Sequence, residues 1–507
     1  MKPLHVVFLH LDLGIGGAEQ LIINLALASL SPKSASNSTP PSKTDDNGEY
    51  NRSHTKTNVS IFTTYCNQSH CFDEVRHHHT HPGTLASSVH LVGEFLPHNI
   101  CGYGTAFCSN IRMIYLSFCA KKMYPDADVF VLDVLPTPIP FLISGHNGGV
   151  KCVVYYCHFP DKLLTRDTVN GVPLILSNGS DSHSFIRKNL KYFLQRPYRL
   201  LMDSIEEWTM SFADLTCVNS KFTMEEVINA FPSLQRKNQR NHRHVDGVHV
   251  LYPPLDLEKF VPPIFARKEE NIKSNSCPIV SLNRFERKKN IQLLLNSYAM
   301  LLNQVPILPP LVISGGYDPK NIENVQYLQE LRNLAQELKI ESYTTFRPNI
   351  SDDERSFLLQ SALCVAYTPH REHFGIVPLE AMYAGSAVVA INSGGPMETI
   401  LNNVTGILVD TEDLKNGFSN ALKKMILHSS IAIEMGRNGH NHVKEHFGLD
   451  NFKGEWEKIM NEGLRCGQLR KTKLALNDQT ASMFSKFLKA AIVVSVAFYF
   501  SRLLGWK

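Results

Sequence analysis

Charge of one sign is what this 507-residue sequence has least of: 51 Lys and Arg against 47 Asp and Glu leave a net +4. That is far too little for a whole-surface nucleic-acid binder, so no nucleic-acid partner is expected. Cysteines are few, eleven in all. Several sit inside apolar runs such as Lys151 to Cys157, which excludes a dense disulfide framework and favours a reducing compartment. A signal peptide is missing as well, because the apolar stretch after Met1-Lys2-Pro3 is too short and no small-residue cleavage site follows it. With 43% hydrophobic and 19% charged residues, the chain is neither disordered, collagen-like nor a multi-span membrane protein. What it does have is length, enough for two domains of roughly 200 residues.

The first half repeats a short apolar run, a polar or glycine turn and a helical stretch, the pattern of parallel α/β architecture. Strands are expected at His5 to Leu11, Asp128 to Val134, Cys152 to His158 and Leu215 to Val218, with a helix from Phe222 to Ala230. Three polar stretches read as surface insertions: 31–58, 170–183 and 235–246. A proline-bearing connector over 251–276 separates this N-terminal domain, 1–250, from a second α/β series over 277–460. The second series places strands at Ile279 to Leu282, Leu311 to Ser314, Thr344 to Phe346, Leu363 to Tyr367 and Ala387 to Ile391. Ser351-Asp352-Asp353-Glu354 has the form of a capping box opening a helix. Two Rossmann-like domains facing a cleft is the simplest α/β arrangement, with ligands beyond the carboxyl ends of the strands.

The motifs fall at those ends. Gly14-Ile15-Gly16-Gly17-Ala18-Glu19 follows the first strand and opens a helix, so small residues let a ligand approach a positive helix end; a tight turn with no ligand explains the same residues equally. Asn283-Arg284-Phe285-Glu286-Arg287-Lys288-Lys289-Asn290 puts cations where a diphosphate needs neutralising, although a solvated basic turn has the same composition. In Glu372-His373-Phe374-Gly375-Ile376-Val377-Pro378-Leu379-Glu380, a helix beginning near Ile376 would set Glu372 ahead of its N-terminus and Glu380 in its second turn. Both carboxylates would then face one cleft, and the amides near Gly375 and Ile376 would point at an anion. Asp126-Ala127-Asp128 imitates a metal-binding Asp-x-Asp, but a polar turn before a strand is the better reading. The cluster His77, His78, His79 and His81 lacks a second spaced ligand pair.

These motifs, with Tyr156-Cys157-His158-Phe159-Pro160-Asp161, Glu206-Glu207-Trp208, Val218-Asn219-Ser220 and Ser393-Gly394-Gly395-Pro396-Met397-Glu398, resemble the retaining GT-B glycosyltransferases of family four, and within it the dolichol-pathway mannosyltransferases. The resemblance covers most of residues 4 to 460. It implies α-1,3 and α-1,6 transfer of mannose from GDP-mannose to a mono-mannosylated chitobiosyl-diphosphodolichol, with no cofactor or catalytic metal. Arg284 and Lys289 match the pair that holds the donor diphosphate, and Glu372 the glutamate near the transferred sugar. Glu380 matches the ribose contact, and Phe374, Gly375 and Ile376 belong to the same donor-binding block. Gly16 and Gly17 match the loop beside the diphosphate, and His158 the catalytic-site histidine near the sugar, in a positioning role. Asn290 stands where much of the family has glycine. Alternatives of the same fold are another nucleotide-sugar transferase, such as the N-acetylglucosaminyltransferase of glycolipid anchors, or a silent membrane scaffold.

The same resemblance implies the cytosolic face of the endoplasmic reticulum, contact with membrane lipid, and other enzymes of the pathway as partners. Residues 484–506 read as a hydrophobic membrane segment and 461–483 as a basic juxtamembrane linker. Between 461 and 507 there are eight Lys or Arg against two acids, so the body carries about −2, a distribution suited to anionic lipid. A second apolar stretch, Cys101 to Ala120, is either a core helix or an interfacial one.

Overall fold

The structure, a computed structural model, describes residues 3–30, 57–77, 82–99, 104–144, 150–164, 168–169, 172–173, 199–234, 247–260, 262–265, 270 and 277–474. Most of the three expected insertions, His78 to His81 and the tail from 475, with its expected membrane segment, lie outside these residues. Among the described residues, no helix is long and apolar enough to cross a membrane.

Fifteen strands are described, among them a two-stranded antiparallel hairpin, β6 (Thr168–Val169) and β7 (Val172–Pro173). Seven others form one sheet: β1 (Leu4–Leu9), β2 (Thr57–Thr63), β3 (Val89–Leu91), β4 (Val129–Asp133), β5 (Cys152–Cys157), β8 (Leu215–Val218) and β9 (Val248–Val250). Their order is β3-β2-β1-β4-β5-β8-β9. The second sheet holds β10 (Ile279–Leu282), β11 (Leu311–Gly315), β12 (Thr344–Pro348), β13 (Cys364–Tyr367), β14 (Ala387–Ile391) and β15 (Gly406–Val409), ordered β12-β11-β10-β13-β14-β15. All its pairs are parallel. Both sheets are doubly wound, and each reverses strand order once, between β1 and β4 in the first and between β10 and β13 in the second. Such a reversal opens a crevice at the carboxyl ends of two neighbouring strands, where α/β sheets bind ligands.

Composition explains the central strands. Cys152-Val153-Val154-Tyr155-Tyr156-Cys157 and Ala387-Val388-Val389-Ala390-Ile391 are buried at every position, as parallel strands covered on both faces must be. Ser351 caps the helix Asp352–Ser361 in the reciprocal capping box expected from its sequence. The Cys101 to Ala120 stretch resolves in favour of a core helix over its described part. Thr105–Met123 is helical, and Cys108, Met113, Leu116 and Ala120 are buried on the face toward β1 and β2.

The chain forms two compact units, 1–218 with 226–249 and 453–507, and 219–225 with 250–452. The far boundary differs: the chain rejoins the first unit at 453, whereas charge alone suggested a second domain to 460 and then a linker. The cause is steric. The helix Leu449–Leu474 presents Gly463 and Gly467 to the start of β5, where a Cβ on Gly463 would lie 2.7 Å from Cys152 Sγ and one on Gly467 would strike the Lys151 carbonyl. Arg470 closes the contact, Nε donating to Asp214 at 2.8 Å and a terminal nitrogen to the Val150 carbonyl at 3.0 Å. Trp456 Nε1 donates to Ser29 Oγ at 2.8 Å. The expected linker is therefore, as far as residue 474, a docked helix.

Candidate active site

In the second unit, the turn after β10 carries the expected cations. Arg284 extends into solvent, its side chain 63% exposed, and pairs with Glu286 at 3.2 Å. A 3-10 turn, Arg287–Lys289, then stops at Asn290, whose φ of 51° and ψ of 40° are left-handed. Glycine enters that region freely and asparagine is one of the few other residues that does so readily, so Asn290 preserves the turn that a family glycine would make. The turn aims Lys289 inward. Its Nζ meets Glu372 Oε2 at 2.5 Å, and the Lys289 carbonyl accepts the Thr368 hydroxyl at 2.7 Å. The pair bridges the switch point, Lys289 following β10 and Glu372 following β13.

Burial works to raise the Glu372 pKa, but the Lys289 charge and hydrogen bond, with help from His373 and the Tyr367 hydroxyl, hold it below the usual value. The carboxylate is thus ionised and salt-bridged. Its backbone is gripped by the loop at 393–395. Ser393 Oγ accepts the Arg371 amide at 2.7 Å, the Gly395 amide donates to the Glu372 carbonyl at 2.8 Å, and Gly394 adopts a φ of 68°. A Cβ on Gly394 would lie 2.9 Å from the Glu372 nitrogen, with the Glu372 carbonyl closer still, and one on Gly395 would strike the Phe374 carbonyl. Here lies the physical reason that a Gly-Gly-Pro motif accompanies the glutamate block: two backbones touch.

Gly375, at φ 82°, is the N-cap of the helix Ile376–Tyr383, so the helix starts where the sequence predicts and leaves its first amides at Glu372's end. Phe374 is 5% exposed and stacks on Tyr252 with ring centroids 6.0 Å apart; its ring is a core group. Glu380, in the second turn, is buried and ion-paired with Arg355. Burial pushes its pKa up against the opposing pull of Arg355. Both glutamates press on Tyr367, which burial and these two charges drive well above its ordinary pKa. The Val218-Asn219-Ser220 motif also lands here, Ser220 Oγ donating to the His373 carbonyl at 2.6 Å, while Glu398 accepts the amides of Lys221 and Phe222, each at 2.8 Å.

In the first unit, Gly16 and Gly17 sit at the turn between β1 and the helix Gly17–Leu30. Glu19 folds back over the turn, so that a Cβ on Gly16 would strike its carboxylate. Neighbouring Asp12 pairs with the buried Arg112 at 2.5 Å, and Arg112 also reaches Thr64 and His98. His158 follows β5, and its Nε2 lies 3.1 Å from Asp133 Oδ2. Just beyond, Glu206 accepts the amides of Asp161 and Lys162 at 3.0 and 3.3 Å, which fixes the chain after Pro160. Burial, partly offset by those two amides, pushes the Glu206 pKa up to about 7. Asp126-Ala127-Asp128 is a turn, as expected: Asp128 accepts the His5 amide at 2.9 Å and pairs with Lys151 at 2.5 Å.

With the geometry in view, relatives decide the family. Residues 264–442, nearly the whole second unit, match the model described as glycosyl transferases group 1. The chain is 35% identical over 462 residues to the human α-1,3/1,6-mannosyltransferase ALG2, covering 89% of this chain and 94% of that one. It is 33% identical over 499 residues to the Candida albicans protein of the same name, covering 90% and 98%. The chain belongs to the ALG2 family. It is therefore an enzyme, a glycosyltransferase. Among solved structures it resembles sucrose-phosphate synthase from Thermosynechococcus elongatus, with a TM-score of 0.57 and 19% identity over 94% of this chain and all of that one. It also resembles Anabaena Alr3699/HepE in complex with UDP, with a TM-score of 0.56 and 16% identity over 90% and 100%. At such identities these likenesses speak for the GT-B-like fold alone.

The sequence reading names the cationic turn and both glutamates, of which the structure brings Lys289 and Glu372 together. It misses Arg355 against Glu380 and Tyr367 and Thr368 around the Lys289 and Glu372 pair, and separately, in the first unit, His10 and Asp133 beside His158. The apolar strand ends gave one available signal, since His10 and Asp133 each close an otherwise apolar run at a switch point.

Proposed function

We propose that the chain transfers α-mannose from GDP-mannose, in α-1,3 and α-1,6 linkage, to a mono-mannosylated chitobiosyl-diphosphodolichol in the pathway of protein N-glycosylation. One observation carries most weight: relatives named α-1,3/1,6-mannosyltransferase match along about nine tenths of the chain, and the Lys289 and Glu372 pair sits across the switch point of the group 1 unit. Lys289 and Arg284 take the charge that builds on the diphosphate as the bond to the anomeric carbon breaks, without a metal. A diphosphate drawing Lys289 away leaves the Glu372 carboxylate to accept sugar hydroxyls. The acceptor hydroxyl attacks from the side the leaving group departs, forming the new C–O bond, and its proton passes to the departing phosphate oxygen, so configuration is retained. His158 positions the sugar. The reaction takes place on the cytosolic face of the endoplasmic reticulum, with residues 484–506 holding the enzyme to lipid and other enzymes of the pathway alongside it.

Membranes holding the full-length chain, given labelled GDP-mannose and the mono-mannosylated lipid, should lengthen that lipid by two hexoses. No product from well-expressed protein would sink the assignment, and turnover of UDP-N-acetylglucosamine in its place would move the chain to another transferase of the fold.

A further inference from the structure

The first sheet has an ion pair across its own switch point. His10 follows β1, Asp133 ends β4, and these strands are neighbours. His10 Nδ1 lies 2.7 Å from Asp133 Oδ1, with the His10 side chain 4% and the aspartate 0% exposed. The second carboxylate oxygen is taken by His158 Nε2 at 3.1 Å, from a ring that is 26% exposed. One buried carboxylate thus serves two imidazoles, and only the His158 end opens to solvent. An ionised carboxylate accepts hydrogen bonds and donates none, so the ring nitrogens facing it must carry protons. The carboxylate thus takes Nε2 of His158 as its donor and with it sets the direction in which the ring faces. Two further contacts fix the ring's seat. Tyr156 lies beside it with centroids 5.0 Å apart, and Glu206 holds the backbone three and four residues beyond.

We propose that Asp133 and His10 are positioning residues for the transfer reaction: Asp133 fixes the orientation of the His158 ring toward the transferred hexose, and His10 holds Asp133 in place from beneath. This rests on the reading above that His158 lies near the sugar. A buried carboxylate left without a cation is costly, so His10 has a structural reason to be present. A purely structural ion pair, however, has no need to deliver its second oxygen to a partly exposed histidine at the carboxyl end of a strand, where such sheets bind ligands. A ring released from Asp133 can turn out of that orientation.

A coupling experiment tests this in the full-length enzyme in membranes. Asp133→Asn should lower kcat by about 10- to 100-fold, the range for one lost charge-assisted hydrogen bond, with the KM for GDP-mannose within about 3-fold. In a His158→Ala background the same substitution should change kcat by less than about 2-fold, because its effect passes through the missing ring. A full additional loss in that background, or a wild-type rate for Asp133→Asn alone, overturns the proposal. Should Asp133→Asn fail to fold, His10 supplies the test: His10→Gln, whose amide can donate to Oδ1, should keep kcat within about 5-fold. His10→Leu should lose as much as Asp133→Asn was expected to lose, and again only when His158 is present; equal rates for Gln and Leu overturn the proposal. The cycle is run with whichever nucleotide sugar the wild-type chain turns over, so a wrong donor is told apart from a wrong role for Asp133.

Discussion

Replacing Gly394 by alanine should disable the enzyme without touching a group that meets substrate. Gly394 holds a φ of 68°, a region that costs an alanine about 1 kcal/mol or more. The new Cβ would also sit 2.9 Å from the Glu372 nitrogen and 3.0 Å from the Arg371 carbonyl carbon, with the Glu372 carbonyl oxygen nearer than either. Because Gly395 donates to that same oxygen at 2.8 Å, the two loops cannot part without breaking a hydrogen bond. Overpacking of this kind adds about 1 to 3 kcal/mol, so a total loss of about 2 to 4 kcal/mol is expected. The larger effect is on rate: relief of the clash moves the Glu372 backbone by roughly 1 Å, and a misplacement of that size costs about 100-fold in turnover. Single-turnover transfer of labelled mannose, beside thermal denaturation and GDP binding, separates the consequences. The variant should remain folded, bind GDP within about 3-fold of wild type, and turn over about 100-fold more slowly. A folded Gly394→Ala enzyme with wild-type turnover would refute the claim that this loop sets Glu372's position.

Three further outcomes follow from the same geometry. Lys289→Ala, which removes the cation beside Glu372, should cut kcat by about 100-fold or more; steady-state transfer near the wild-type rate would remove Lys289 from the site. For Glu206, folding raises the pKa from 4.5 to about 7, so the folded state binds the proton more tightly than the unfolded chain. The linked stability, about 3 kcal/mol, is fully present below pH 4.5 and is lost as pH rises through about 7. Glu206→Gln carries no such charge, so chemical denaturation should show it gaining on wild type across that window; parallel curves would contradict the burial argument. Asn290→Gly should leave stability within about 0.5 kcal/mol and activity intact, while Asn290→Val, forced into a left-handed turn, should lose about 1 to 2 kcal/mol; equal melting temperatures for the two would show that the turn tolerates any residue.

The strands most legible in the sequence were the wholly buried ones, such as β5 and β14, because a parallel strand covered on both faces writes a continuous apolar run. Of those passed over, β15 has the run but only four residues of it, and others lack it. β2 opens with Thr57 and Asn58, against a polar stretch, and β3 and β9 have three residues each. Within the site, Lys289 and Glu372 were readable because each lies in a dense local motif. Their holders were not, since each is remote in sequence: His10 and Asp133 are 123 residues apart, and Arg355 precedes Glu380 by 25. A local pattern cannot announce a pairing made by the winding of a sheet. The docked C-terminal helix misled for a different reason. Its basic residues suggested a free linker, whereas Gly463, Gly467 and Arg470 are spaced to meet one strand and its neighbours.

The docking of that helix fixes a point of attachment. Gly467 and Arg470 meet Lys151, Val150 and Asp214, the residues that precede β5 and β8, while His158 follows β5 at the other end. Six residues of strand, about 20 Å, therefore separate the edge from which the chain continues past residue 474 from the edge that carries His158. Any load on the chain beyond 474 meets the Arg470 and Asp214 clamp and the glycine contact before it reaches that edge. Cutting or lengthening the chain just after 474 should therefore leave the strand end that carries His158 undisturbed.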